Sequence, residues 1–133
     1  MELLAPYKNI IFIFGIVGII SLFQLIIADL CALKLKHTPG YPIKPDHNSL
    51  LFRTARTHSN TNESIAVFVI FSLFGIFSAA DAEWLFNFAL VFLVGRLLHM
   101  VFYYANVQLA RSAAFVLVLI GLLGMFIVSI LAW

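Results

Sequence analysis

Apolar residues gather into four long segments, which lie at residues 9–35, 63–80, 84–105 and 111–133. Each segment is close to the roughly 20 residues that an α-helix needs to cross a bilayer. No helix-breaking residue separates Ser49 from the second segment, so its helix is predicted to begin near Ser49. Because an open sheet edge cannot be satisfied in lipid, all four segments are predicted to be helices.

Short polar stretches connect the four segments. Link one, around residues 37–45, is dense in Pro and Gly and is predicted to be a loop. Link two (residues 78–82) is a tight turn in which Asp81 is predicted to cap the third helix, and link three (residues 106–110) is a short hairpin. Short links place consecutive helices antiparallel. The predicted fold is all-α, an up-down four-helix membrane bundle, with residues 1–133 forming one four-span domain.

Composition supports a membrane protein and excludes a water-soluble one. Hydrophobic residues make up 63% of the chain and charged residues only 11%, whereas soluble domains carry about 25% charged residues. The formal net charge of +2 gives no support for a nucleic-acid partner, and we expect none. The single Cys31 excludes an intrachain disulfide framework and is interpreted as a small buried apolar residue.

The distribution of Lys and Arg predicts how the chain is oriented in the membrane. Basic residues cluster around link one and recur at link three, whereas link two carries Asp81 and Glu83 and no Lys or Arg. Lys8, near the N-terminus, is the one exception. Because cytoplasmic links are enriched in Lys and Arg, links one and three are predicted to be cytoplasmic, with both termini on the opposite side.

A first stripe of polar residues is predicted on the second helix, where Arg53, Arg56, Asn60 and Glu63 have the spacing i, i+3, i+7, i+10. Two guanidinium groups, an amide and a carboxylate on one face match a ligand that carries both carboxylates and an amine. The same residues would also form ion pairs inside the bundle, with Glu63 bound to an Arg of its own or a neighbouring helix. Spacing alone leaves both interpretations open.

A second stripe is predicted on the third helix, where Arg96, His99 and Tyr103 have the spacing i, i+3, i+7. Arg96 lies halfway along this helix, where a charge costs about 3 kcal/mol or more, so it is expected to face the bundle and be paired. Glu63 is the expected partner. For His99, a structural role and a functional role remain equally open.

Arg111 and Ser112 are predicted at the start of the fourth helix, where free backbone N–H groups and a guanidinium suit an anion. A thiol placed there would ionise more easily than in isolation. An Arg that anchors the helix at the lipid headgroups is the commoner explanation of such a residue.

Asp29, inside the first segment, is expected to face the bundle or a subunit interface. The spacing of His37, His47, His58 and Asp46 does not suit a metal ion, so no metal site is expected.

Three motifs taken together resemble the MAPEG family, the membrane-associated proteins in eicosanoid and glutathione metabolism. They are Arg56-x-His58-x-Asn60-x-x-Glu63, the run from Val91 to Tyr103 that contains Arg96 and His99, and the Arg111-Ser112 pair. Length, four spans and orientation also agree. The resemblance covers essentially the whole chain and is strongest to the microsomal glutathione transferase and prostaglandin E synthase branches.

The resemblance implies a homotrimer that binds glutathione between neighbouring subunits near the cytoplasmic face. It implies that Arg111 stabilises the glutathione thiolate with help from Ser112. It also implies a glutathione-binding set to which Lys34 contributes in place of an Arg of the synthases. That set consists of Lys34, Arg56, Asn60, Glu63, Arg96, His99 and Tyr103.

Departures from the family pattern bear on the second substrate. Phe52, Ser59 and Phe115 replace polar residues of family members, which weakens the case for an eicosanoid substrate. Retention of Arg111 favours the catalytic branch. The expected function is a membrane-bound glutathione transferase or peroxidase that acts on a lipophilic electrophile or lipid hydroperoxide. The alternatives are a small proton-coupled exporter, suggested by Asp29, and a non-catalytic, lipid-binding member of the family.

Overall fold

The computed structural model describes residues 2–133, and they form helices and links. A short 3-10 helix, Glu2–Tyr7, leads directly into the first long helix. The long helices are α1 (Lys8–Lys34), α2 (Leu50–Phe77), α3 (Ala82–Tyr104) and α4 (Gln108–Ala132). The described residues contain no strand. The predicted all-α class and the four segments are confirmed.

All four long helices are long and apolar enough to cross a membrane, so the protein is a multi-pass integral membrane protein. Large apolar side chains such as Phe12, Phe77 and Leu131 are exposed on the outside of the bundle, as expected for surfaces that meet lipid. Links two and three are short, and they join antiparallel helices.

Two glycines allow α3 and α4 to pack with their backbones close together. A Cβ on Gly121 would lie 2.6 Å from the backbone N of Phe92, and a Cβ on Gly95 would lie 2.8 Å from the backbone N of Val118. Small residues serve this purpose in membrane bundles, where close packing replaces the hydrophobic effect between helices.

Local sequence explains two of the helix starts. The Asp81 side chain accepts hydrogen bonds from the N–H groups of Glu83 and Trp84, both at 3.0 Å, so the predicted cap of α3 is confirmed. The Ser49 hydroxyl caps α2, as its predicted start requires. The predicted start of α4 at Arg111 is wrong, because the helix begins at Gln108 and the Arg111 N–H already donates to the carbonyl of Val107 at 3.1 Å. Arg111 therefore directly follows the free N–H groups of the first turn and does not belong to them.

The midpoints of the helices divide the bundle into two halves. The terminal half comprises residues 4–21, 64–93 and 120–133, and the link-one half comprises residues 22–63 and 94–119. The terminal half contains the aromatic core, in which Phe68 stacks on Phe92 with ring centroids 4.5 Å apart and meets the edge of Phe14. The link-one half contains the polar stripes.

Candidate functional site

The first part of the site is a hydrogen-bonded group on the outer face of α2. Arg56 Nη1 donates to Glu63 Oε1 at 2.8 Å and to the Ser59 hydroxyl at 3.3 Å. The side chains of Arg56 and Glu63 are 42% and 54% exposed. An ion pair this exposed is worth about 0–1 kcal/mol, so both charges are cheaply released for a charged ligand.

The second part is Arg96, which lies almost completely inside the bundle with 1% of its surface exposed. Its Nη1 donates to the Asn60 side-chain oxygen at 2.8 Å. Its Nε and Nη2 have no hydrogen-bond partner among residues 2–133. The expected pairing of Arg96 with Glu63 is wrong, because α2 turns Asn60 towards α3 and leaves Glu63 with Arg56 on the outer face. A buried guanidinium with unused donors is costly unless something outside the chain satisfies it.

The third part runs along α3 to α4. The His99 and Tyr103 rings are 5.2 Å apart, and both side chains are buried. The guanidinium carbon of Arg111 lies 4.5 Å from the centre of the Tyr103 ring. Arg111 Nη1 also contacts His47 Nδ1, on link one, at 3.0 Å. Helices α3 and α4 and link one therefore meet around Tyr103.

These parts form one continuous set, which we call the polar cluster. Phe115 packs against the middle of this set, because its ring lies 5.6 Å from the Arg96 guanidinium carbon and 5.9 Å from the His99 ring. The cluster offers three guanidinium groups for anions and one carboxylate for an amine. Its members are Arg56, Asn60, Glu63, Arg96, His99, Tyr103 and Arg111.

A cavity of about 310 Å³ opens beside the polar cluster, between α2 and α4. Asn60 and Glu63 line one end of this cavity, and apolar side chains including Val67, Phe71 and Leu119 line the rest. A small apolar chamber with polar groups at one end is typical of a site for a small molecule.

Comparison with known proteins identifies the family. The sequence model of the MAPEG family matches residues 10–131, which is most of the chain. The chain belongs to the MAPEG family. No curated protein and no solved structure matched it. MAPEG proteins include glutathione-dependent transferases and peroxidases, and they also include members without catalytic activity.

Two predicted site residues of this MAPEG chain lie outside the polar cluster. Lys34 is exposed in the last turn of α1. Ser112 is exposed on α4, and its hydroxyl donates to the carbonyl of Gln108 at 3.1 Å. Asp29 is also exposed in the single chain, and no ion pair involving it is found in the described part of the chain, so its expected place at a subunit interface stays a prediction. Helical spacing groups residues along a helix and leaves open which of them face inwards.

Arg53 and His47 of this MAPEG protein support the cluster from outside it. Spacing placed Arg53 in the first stripe, whereas no pattern singled out His47 as a site residue. Arg53 Nη1 donates to the carbonyls of His47 and Asn48 at 2.7 and 2.9 Å, and Arg53 Nε donates to the carbonyl of Tyr104 at 3.2 Å. Arg53 thus ties link one to the end of α3. The contact between His47 and Arg111 spans 64 residues, and no local sequence pattern predicts it.

A larger cavity of this MAPEG chain, about 550 Å³, lies on another face of the bundle, between α1, α2 and link one. Asp29, His37 and His58 line it among apolar side chains, and it contains no member of the polar cluster. Its acidic and imidazole groups do not hydrogen bond to one another, since His37 contacts the carbonyl of Tyr41 and His58 contacts Asn62. Volume alone therefore does not make it the better candidate.

Proposed function

We propose that this protein is a membrane-bound, glutathione-dependent transferase or peroxidase. The observation that carries the proposal is the buried Arg96 guanidinium, whose Nε and Nη2 lack a partner among the described residues. In a chain of a family that includes glutathione-dependent enzymes, the carboxylates of glutathione are the fitting partners for those donors.

The charges of the polar cluster complement those of glutathione. The peptide carries two carboxylates and one amine, and the cluster carries three guanidinium groups and the Glu63 carboxylate. Arg56 and Arg96 bind carboxylates, Glu63 binds the γ-glutamyl amine, and Asn60 orients Arg96 from α2. His99 and Tyr103 complete the wall along α3.

Arg111 is proposed to stabilise the ionised thiol of glutathione. Its guanidinium is held against Tyr103 at the end of the cluster, where its charge favours the thiolate over the thiol. Glutathione supplies the nucleophile. Its thiolate bonds to an electrophilic carbon, which releases a leaving group or, at a double bond, passes the electron pair on and takes up a proton. With a hydroperoxide, the thiolate bonds to the outer oxygen, the O–O bond breaks to release an alcohol, and a second glutathione converts the sulfenic acid to the disulfide and water. The lipophilic second substrate occupies the apolar cavity of about 310 Å³ between α2 and α4, which an apolar molecule reaches from the lipid.

A homotrimer explains why Lys34 and Ser112 are exposed in the single chain. In such an assembly, Lys34 of one subunit contacts glutathione bound to its neighbour, and Ser112 faces the same interface and assists Arg111. Links one and three lie on the cytoplasmic side, where the basic residues concentrate and where glutathione is available.

Arg111→Ala tests the catalytic role. We expect glutathione to bind with nearly unchanged affinity, while its thiolate absorbance in the near ultraviolet is lost, because the charge that favours the thiolate is gone. Gln108→Ala, one turn earlier on α4, is the matched control and should keep the signal. An undiminished signal in Arg111→Ala would remove Arg111 from the mechanism. Glutathione binding without turnover across a panel of electrophiles and hydroperoxides would assign the protein to the non-catalytic members.

Glu63→Gln tests the binding role. The amide keeps the shape of the side chain and removes the charge that binds the γ-glutamyl amine. Loss of one charge-assisted hydrogen bond predicts about a tenfold to hundredfold weaker affinity, measured by calorimetry. Ser59→Ala removes the second donor to the same carboxylate and an acceptor of Arg56 but keeps both charges, so it should bind glutathione almost as tightly as the unaltered protein. Unchanged affinity in Glu63→Gln would leave Glu63 only a structural role with Arg56.

A further inference from the structure

Link one is fixed in place at His47 by contacts on both sides of this residue. Arg53 donates to the carbonyls of His47 and Asn48, and the Asp46 side chain accepts from the Asn48 N–H at 2.9 Å. The His47 ring meets the edge of Phe52 with centroids 5.0 Å apart. The imidazole therefore has a defined position.

The contact between His47 and Arg111 has only one chemically consistent form. A guanidinium donates hydrogen bonds and never accepts them, so Arg111 Nη1 is the donor and His47 Nδ1 is the acceptor at 3.0 Å. Nδ1 must carry no proton, and the proton of the neutral ring lies on Nε2. The hydrogen bond thus fixes both the tautomer of His47 and one edge of the Arg111 guanidinium.

We propose that His47 is a positioning residue for Arg111. This inference rests on the proposed function, in which Arg111 stabilises the glutathione thiolate. His47 binds one edge of the guanidinium, and the Tyr103 ring lies against one of its faces, with its centre 4.5 Å from the guanidinium carbon. These two contacts restrain the orientation of the remaining N–H groups. Without the imidazole acceptor, the long Arg111 side chain spreads over several rotamers, and its charge spends less time at the thiolate position.

Three variants separate the hydrogen bond from general packing. His47→Phe keeps an aromatic ring beside Phe52 and Tyr103 but offers no acceptor. His47→Asn places an amide oxygen near the position of Nδ1 and restores an acceptor. His37→Phe is the matched control, because His37 lies on the same link and contacts the carbonyl of Tyr41 instead of Arg111.

The first measurement is the pH dependence of glutathione thiolate absorbance on the full-length protein in detergent. His47→Phe should reduce the bound thiolate on the order of tenfold at a given pH, as loss of one hydrogen bond to a charged group predicts. His47→Asn should recover most of the signal, and His37→Phe should match the unaltered protein. A purely structural role would lower stability or total glutathione binding in His47→Phe and leave the pH profile unchanged, which would overturn the proposal.

The second measurement tests the contact without glutathione. Nitrogen NMR of protein labelled in its histidines should show His47 with its proton on Nε2, and the Nδ1 resonance should move in Arg111→Ala. A proton on Nδ1 would overturn the proposal.

In the first measurement, absence of a thiolate signal in the unaltered protein would refute the proposed function. A normal signal that His47→Phe leaves unchanged would refute only the positioning role.

Discussion

Buried polar side chains have different surroundings in the two halves of the bundle. In the terminal half, the hydroxyl groups of Tyr7, Ser72 and Ser129 each donate to a backbone carbonyl, at 2.6–2.7 Å. In the link-one half, Gln24, Arg96 and other residues keep buried polar atoms for which residues 2–133 provide no partner. A buried polar group without a partner costs free energy. The described residues provide partners for the buried side chains of the terminal half and leave several of those in the link-one half without one.

From this comparison we expect the terminal half to contribute mainly to stability and the link-one half mainly to ligand binding. The terminal half, with Phe68 stacked on Phe92, supplies the packing that holds the helices together. The link-one half contains charged donors such as those of Arg96 that have no partner among the described residues, and the proposed function assigns these donors to a ligand. Three substitutions test this division, and they are given in order of decreasing expected effect.

Phe68→Ala should have the largest effect, and it should act on stability alone. Phe68 is completely buried and contacts both Phe14 and Phe92, so its removal leaves a cavity and should lower the free energy of unfolding by about 3–5 kcal/mol. Denaturant titration in detergent measures this, with Ile70→Ala, which is exposed on the same helix, as the control. Glutathione affinity of the folded variant should be unchanged. A weaker affinity would mean that the halves are not separable.

Arg96→Met should have the opposite effect, because it should weaken glutathione binding without lowering stability. Replacing a buried charge that has two unused N–H groups with an apolar side chain should leave the free energy of unfolding unchanged or raise it. Glutathione affinity should fall about a hundredfold, which corresponds to about 2.8 kcal/mol, because a carboxylate loses its partner. Calorimetry and denaturant titration on the same preparation measure both quantities. Loss of stability with full affinity would show that Arg96 is a structural residue.

Gln24→Leu should have the smallest effect. Gln24 is completely buried in α1, and its amide N and O both lack a partner within the described residues. Leucine fills a similar volume without a polar group, so the free energy of unfolding should stay equal or rise by about 1 kcal/mol. A lower free energy of unfolding in this variant would contradict the expectation that the Gln24 amide has no partner. In that case an internal water would be the partner of the amide.

Much of the fold follows from local sequence. Long apolar runs predict α1, α3 and α4 to within a few residues, whereas the start of α2 follows from the lack of a helix breaker after Ser49. Asp81 predicts the start of α3 because capping depends on residues close in sequence. The start of α4 was placed three residues too late, because the apolar run begins after the polar first turn at Gln108.

The site was predictable only in part. Helical spacing grouped Arg96, His99 and Tyr103 on one buried stripe, and the structure confirms that all three side chains are buried. Their partners depend on how each helix is rotated about its axis, and this is why Glu63 bonds Arg56 while Asn60 bonds Arg96. The roles of these residues, and those of Lys34 and Ser112, remain predictions.

The central claim is that glutathione satisfies the unused donors of the link-one half. An experimental structure of the protein with bound glutathione tests it most directly. The account predicts a glutathione carboxylate within hydrogen-bonding distance of Arg96 Nε or Nη2, with the sulfur atom beside Arg111. Glutathione bound in the cavity between α1 and α2, or a neighbouring subunit's side chain bonded to those Arg96 donors, would contradict it.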